Sequence, residues 1–144
     1  MYLQELRISN FRCFSEPQTI EFSKGINVLV GENDSGKSAI IDAIRIVMGT
    51  TDQGWYRIEP TDFNAERKDV EIAITLKFSD LSKAEQASFL ECLTCETVGG
   101  KDMPCLYINW KCKYLLSFTP PRTSIRVTTG INGDGPSPVS YTHL

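Results

Sequence analysis

Eight residues near the N-terminus, Gly31-Glu32-Asn33-Asp34-Ser35-Gly36-Lys37-Ser38, have the types and the spacing G-x-x-x-x-G-K-[ST] of a phosphate-binding loop. Such a loop curls so that successive backbone N–H groups point inward and form a nest for the α- and β-phosphates of a nucleotide. Gly31 and Gly36 allow the torsions and the close approach that the curl requires. Lys37 then reaches the β/γ-phosphates as a compact cation, and the Ser38 hydroxyl is a ligand for Mg²⁺. Glu32, Asn33, Asp34, Ser35 and Ala39 complete the expected binding stretch. Asp34 is expected to face solvent or loop amides, because a carboxylate turned toward phosphate would be repelled. Roughly one chain in two hundred of this length would match the pattern by chance. The elements around it therefore have to support it.

They do so on both sides. Ile26-Asn27-Val28-Leu29-Val30 is short, β-branched and almost wholly apolar, which predicts a strand buried on both faces that ends at Gly31. Lys37 to Met48 has helical periodicity, with Ile40, Ile41, Ile44, Val47 and Met48 within about a third of the circumference, Asp42 and Arg45 outside the stripe, and Gly49 as a stop. The positive end of that helix dipole adds to the phosphate site. Upstream, Leu3 to Ser9 and Thr19 to Phe22 read as strands.

Downstream, 50–68 has no period and reads as a long loop containing Trp55, Tyr56 and Phe63. Val70, Ile72, Ile74, Leu76 and Phe78 alternate with more polar residues as one face of a strand. Ser82 and Glu85 form a capping box for a helix expected to reach about Leu93. Strands are also expected over Leu106–Leu116, with Ile108, Trp110, Cys112 and Tyr114 on the apolar face, and over Ser124–Thr129. Gly130-Ile131-Asn132-Gly133-Asp134-Gly135 carries hairpin-turn signals. The organisation predicted is one partial domain over 1–129 and, over 130–144, a turn followed by a disordered or non-native tail. The end from Val139 resembles a translated adapter sequence, so His143, the single histidine, is given no role.

Composition narrows the classes. With 41% hydrophobic and 23% charged residues the 144-residue chain can fill one core, and its net charge of −3 supplies no global field for polyanions. Any contact with DNA has to come from a local patch. No basic n-region with an apolar h-region begins the chain, and no window reaches the length of a membrane span, so a cytoplasmic protein without membrane contact is expected. Five cysteines, Cys13, Cys92, Cys95, Cys105 and Cys112, are an odd number in such a chain, and reduced thiols are predicted. Cys105 and Cys112 differ by an odd count and so fall on opposite faces of a strand, which argues against a zinc site with Cys92 and Cys95.

Leu6-x-Ile8-x-Asn10-Phe11-Arg12-x-Phe14, Ile20-x-Phe22, Gly25-Ile26-Asn27 and the loop with Asn33 resemble the N-terminal lobe of ABC-class ATPases of the RecF, SMC and OLD type. The likeness covers about residues 1–50. A weaker one over 69–90, where a strand ends in Phe78-Ser79-Asp80-Leu81-Ser82 before a helix, is most similar to OLD-family nucleases. The resemblance implies an α/β P-loop NTPase fold with a mixed sheet, ATP with Mg²⁺ as ligand, a second copy of the ATPase head as partner, and DNA as a partner of the full-length parent. It makes Arg12 a phosphate or lobe-stabilising contact, and Asn33 a contact to phosphate or to a partner subunit. An exposed arginine and an asparagine chosen for its left-handed torsion are the structural alternatives for these two.

Departures from the family matter as well. No apolar run after the loop helix ends in Asp or Asp-Glu, Leu81-Ser82 is followed by Lys83-Ala84 and not by signature glycines, and no switch histidine is found. Parts that bind a triphosphate are present, and parts that hydrolyse it are expected elsewhere. Two other classes remain open: a P-loop kinase, which usually begins almost at the loop strand, and a non-enzymatic ATP-binding regulator or transporter subunit. A GTPase is disfavoured because no Asn-Lys-x-Asp occurs.

Overall fold

The computed structural model describes residues 1–32, 35–49, 58–66, 70–119 and 121–137. Asn33 and Asp34 of the loop, Trp55 and Tyr56, and the tail with His143 lie outside the described residues. Strands β1 (Tyr2–Ser9) and β2 (Gln18–Glu21) precede helix α1 (Lys37–Met48); β3 (Ile72–Ser79), the short α2 (Lys83–Ser88), β4 (Leu93–Val98), β5 (Lys101–Leu115) and β6 (Arg122–Thr129) follow. The strands make one antiparallel sheet in the order β2-β1-β3-β5-β4, and β6 also pairs with β5. At fifteen residues β5 is long enough for two neighbours on one edge, β4 beside its first part and β6 beside its second.

Period-2 alternation puts Leu6 and Ile8 of β1, Ile72, Ile74, Leu76 and Phe78 of β3, and Leu106, Ile108, Trp110 and Cys112 of β5 on one buried face. α1 lies against this face through Ala39, Ile40, Ala43, Ile46 and Val47. The helix has the predicted bounds but a different inward face: Ile41 is 41% exposed, while Ala39 and Ala43 are buried. Small side chains let the helix axis approach the sheet, and a count of large apolar residues at 100° intervals gives such alanines too little weight.

The largest departure from expectation is at Ile26–Val30. This segment belongs to no strand, and Ile26, Val28 and Val30 are 94%, 75% and 86% exposed, with Leu29 alone partly buried against the core. The composition of a strand covered on both faces is present, but among the described residues nothing covers it. The described sheet is accordingly antiparallel throughout and not mixed.

Ser82 caps α2 as predicted, accepting from the Glu85 N–H at 3.3 Å while the Glu85 carboxylate accepts from the Ser82 N–H at 2.7 Å. The helix stops at Ser88, short of the expected Leu93. Leu93–Val98 instead pairs with Lys101–Asp102-Met103-Pro104-Cys105-Leu106 through Gly99-Gly100, whose φ angles of 59° and 78° suit a two-residue hairpin turn. At the other end, the turn after β6 folds back onto Thr129, whose N–H and hydroxyl both donate to the Pro136 carbonyl at 3.2 and 2.7 Å. No returning strand follows within 130–137.

Candidate phosphate-binding loop

Gly36 is the residue before α1, with φ 91° and ψ 3°. A Cβ there would come within 2.9 Å of Phe14 Cζ and 3.0 Å of Cys13 Sγ. Both the left-handed torsion and the close approach therefore require glycine. No side chain caps the helix start, and Ile40 N–H donating to Gly36 O at 2.9 Å is the first helical bond. The amides of the first turn are thus oriented at the loop with the positive end of the dipole behind them. Ala39 turns its methyl into the core, so it offers a ligand only its backbone N–H.

The Lys37 ammonium is folded across the loop and donates to the carbonyls of Gly31 and Glu32 and, at 3.3 Å, to Ser35 Oγ. These oxygens occupy the acceptor role that phosphate oxygens would take. Ser35 N–H donates to Glu32 O at 3.3 Å and tightens the same curl. Ser38 is exposed one residue on and lines a cleft of about 580 Å³ with Asn27, Leu29, Lys37, Ile41, Asp42 and Arg45. The exposed hydroxyl of Ser38 and the Asp42 carboxylate in the same cleft are hard oxygen donors of the kind that Mg²⁺ takes.

Arg12 is not a solvated surface arginine. It sits at φ 49° in the turn after β1, with its side chain 29% exposed. Its Nε donates to Asp62 Oδ1 at 3.0 Å, and its NH1 donates to Asp42 Oδ2 at 2.6 Å. The backbone is fixed from the same side: Arg12 N–H donates to Asp62 O at 2.8 Å, and Asn64 Nδ2 donates to Arg12 O at 2.7 Å. Asp62 is buried in a 3₁₀ turn (Pro60–Asp62), and its second carboxylate oxygen accepts the Glu59 N–H at 2.9 Å. The turn carrying Arg12 therefore touches α1 twice, at Gly36 through Cys13 and Phe14, and at Asp42 through the guanidinium. Asp42 lies one helical turn from Ser38 on the cleft side. Sequence reasoning left Asp42, Asp62 and Asn27 out of the site. The i,i+4 spacing of Ser38 and Asp42 was a signal for the first, while Asp62, fifty residues from Arg12, gave none.

Among the described residues no three His, Cys, Asp or Glu are grouped to hold an ion, and no disulfide joins the five cysteines. Burial pushes the Cys105 thiol up to about 11 and the Cys112 thiol up to about 12, so both are inert packing groups on opposite faces of β5.

A family model for an AAA domain matches residues 5–130. The chain belongs to this AAA domain family. It is 39% identical over 85 residues to the chromosome partition protein Smc of Mycobacterium leprae (strain TN), which is 59% of this chain and 7% of that protein. Over 49 residues, 34% of this chain and 4% of the relative, it is 47% identical to the chromosome partition protein Smc of Bacillus subtilis (strain 168). The structural maintenance of chromosomes protein 3 homolog of Plasmodium falciparum (isolate 3D7) is 44% identical over 48 residues, 33% of this chain and 4% of that protein. These matches therefore span under a tenth of the relatives' length. A solved structure described as "Structural biochemistry of ATP-driven dimerization and DNA stimulated activation of SMC ATPases" superposes with a TM-score of 0.54 at 20% identity, covering 90% of this chain and 70% of that one. That likeness carries the fold, an N-terminal lobe of a P-loop NTPase head, as the sequence resemblance implied. Both sets of relatives lie on the SMC side of that resemblance.

Proposed function

We propose that this chain is the Mg·ATP-binding lobe of an ABC-class ATPase head, and that its parent engages a second copy of the head and works on DNA in the cytoplasm. The observation that supports it best is local. A glycine that nothing larger can replace starts α1, and Lys37 and Ser38 follow it at the mouth of an open cleft. Gly31 to Ala39 is proposed to cradle the triphosphate, with Ser38 as the Mg²⁺ ligand. Bound Mg²⁺ would neutralise charge on the β- and γ-oxygens. Arg12 is proposed as the residue that ties this loop to the rest of the lobe and stands beside the nucleotide.

Hydrolysis is assigned to residues beyond this chain, since no apolar run in it ends in Asp-Glu. A link to ATP-dependent endonuclease or repair activity of the OLD or RecF kind is the finer proposal, and it rests on the passage from β3 through Asp80 to the capped α2. A kinase is less consistent, because β1, β2 and the Arg12 turn precede the loop. A non-enzymatic regulator would share the loop and differ only in the rest of its parent.

Titration with a fluorescent ATP analogue and Mg²⁺ tests the loop. Lys37→Ala is expected to weaken binding by on the order of 2 kcal/mol or more, the loss of a charge-assisted phosphate contact. Superimposable curves for the two proteins would remove the assignment. Phosphate release by the wild-type chain should stay at the background rate, and turnover abolished by Lys37→Ala would reveal a catalytic acid within these residues.

A further inference from the structure

The turn after β6 contains two steps of the same chemical kind, Asn132-Gly133 and Asp134-Gly135, and neither takes part in the nucleotide site. Asn132 is the one asparagine in the chain that precedes glycine, and Asp134 the one aspartate. In such a pair the side-chain Cγ lies within ring-closing reach of the next main-chain nitrogen. A following glycine, having no Cβ, leaves that nitrogen open to attack the carbon.

The fold treats the two steps differently. Gly133 N–H donates to Gly130 O at 3.1 Å, Ile131 and Asn132 between them are not at positive φ, and Gly133 has φ 72°. This is a type I turn followed by a left-handed glycine, with Ile131 and Asn132 exposed at its tip. A Cβ on Gly133 would meet side chains alone, Thr128 Oγ1 at 3.1 Å and Asn109 at 3.7 Å. Gly135 N–H donates instead to Thr129 O at 2.8 Å, and a Cβ on Gly135 would come within 2.8 Å of the Thr129 backbone. Thr129 is wholly buried, and its N–H and hydroxyl hold Pro136. The nitrogen after Asn132 is thus held inside an exposed tip, and the nitrogen after Asp134 is clamped to the end of the sheet. Opening a tip with few buried contacts costs little, whereas freeing Gly135 requires undoing the end of β6.

We propose that Asn132 is a site of spontaneous deamidation, a self-modification that Asp134 is spared. The Gly133 amide nitrogen gives up its proton and bonds to Asn132 Cγ, the Cγ–NH2 bond breaks, and ammonia leaves carrying that proton. Water then opens the resulting succinimide. Attack at Cγ leaves aspartate at 132, and attack at the main-chain carbonyl carbon leaves isoaspartate. Solvent water is the one co-reactant. Either product sets a new carboxylate beside exposed Asp134, and isoaspartate also lengthens the main chain by a carbon between Gly130 and Gly135. Gly130 anchors this turn: its carbonyl accepts Asn109 Nδ2 at 2.8 Å, and Asn109, buried on the outer face of β5, accepts the Thr75 hydroxyl at 2.8 Å. The reaction therefore strains the contact that ties the turn to β5 and β3.

The 144-residue chain, kept at physiological temperature in mildly acidic and mildly alkaline buffer beside a synthetic peptide of residues 127–137, tests this by mass spectrometry. Trypsin releases the segment that begins at Val127, in which Asn132 is the only side-chain amide. Compared with the same digest of fresh protein, that segment should gain the mass difference between NH2 and OH and separate into aspartate and isoaspartate forms. The gain should be faster in alkaline buffer, where more of the attacking nitrogen is deprotonated. Asn132→Gln should abolish it, because the longer side chain has to close a larger ring. Asp134 should isomerise, without change of mass, in the peptide and not in the folded chain. An Asn132 that persists in the chain while the peptide reacts, aspartate formed without isoaspartate, or Asp134 isomerising equally in both would overturn the assignment. Lys37→Ala should age at the wild-type rate, so failure here leaves the nucleotide assignment untouched.

Discussion

Replacing Arg12 with alanine removes its guanidinium bonds to Asp62 and Asp42 at once, and the two carboxylates it leaves behind are not equivalent. Asp62 has a side chain only 7% exposed and also accepts the Glu59 N–H, whereas Asp42 is 28% exposed and also has Arg45 NH1 at 3.8 Å. Removing the ion-pair partner of a largely buried carboxylate costs roughly 3 kcal/mol. Loss of the half-exposed partner costs about 0.5 kcal/mol. Arg12→Ala should therefore destabilise the lobe by about 3 kcal/mol, and Asp42→Asn by about 0.5 kcal/mol. Because φ at Arg12 is 49°, Arg12→Gly should recover about 1 kcal/mol of the alanine loss by relieving left-handed strain. Urea melts followed by far-UV circular dichroism measure all three, and an unchanged slope shows that the unfolded state is the same. Equal costs for Arg12→Ala and Asp42→Asn, or a glycine variant less stable than the alanine one, would refute the clamp as drawn. The same proteins separate structural from ligand roles. If Arg12 also serves a phosphate, Asp42→Asn leaves ATP affinity equal or tighter while Arg12→Ala weakens it.

Gly36→Ala should abolish nucleotide binding by driving Phe14 and Cys13 out of the loop, and an alanine protein that titrates like wild type would show that the turn yields freely. On the outer face, hydrogen bonds from Lys77 and then Tyr107 hold the Glu96 carboxyl below its ordinary 4.5, and burial, the largest single effect on Lys77, pulls its ammonium down but is outweighed by the hydrogen bonds and charges of Glu96 and Tyr107 together, which leave it above its ordinary 10.5. The native carboxyl binds fewer protons than the unfolded one, so its stabilisation is complete above about 4.5 and lost as pH falls through the lowered folded value; that of Lys77 is complete below 10.5 and lost as pH rises through the raised one. Glu96→Gln should flatten the acid limb of a melting-temperature profile below about pH 4.5, and an unchanged limb would exclude the network from acid unfolding. The exposed Ile26, Val28 and Val30 should make the chain self-associate, so sedimentation should depend on concentration and Val28→Lys should suppress it. A monomer at every concentration would contradict this.

Much of the architecture was written in local pattern. β3 and Leu6–Ile8 of β1 alternate and their apolar sets are buried, as is the predicted apolar set Ile108, Trp110 and Cys112 of β5, and α1 and the capping box of α2 begin where capping and glycine signals place them. β4 was hidden because Leu93-Thr-Cys-Glu-Thr-Val follows a helix without a breaking residue, and its strand state comes from pairing with β5, a tertiary cause. The binding loop was legible because its chemistry is compressed into eight consecutive positions. Its support was not, because Arg12, Asp42 and Asp62 are brought together by folding across fifty residues.

Ile26–Val30 joins these two lessons. Periodicity reports the environment a segment is built for, and this one is built to be covered on both faces, yet here Ile26, Val28 and Val30 stand exposed. Its backbone leads into Gly31, and Asn27 and Leu29 line the cleft with Ser38 and Asp42. A strand laid along it would hide Val28 and Val30, restrict the cleft and bring its own terminal side chains beside the Ser38 hydroxyl. That is the position from which an acid could help place Mg²⁺. If one strand supplies both the cover for this segment and that acid, adding it should both suppress self-association and raise ATP affinity. A gain in only one of the two would show that cover and catalysis come from different pieces.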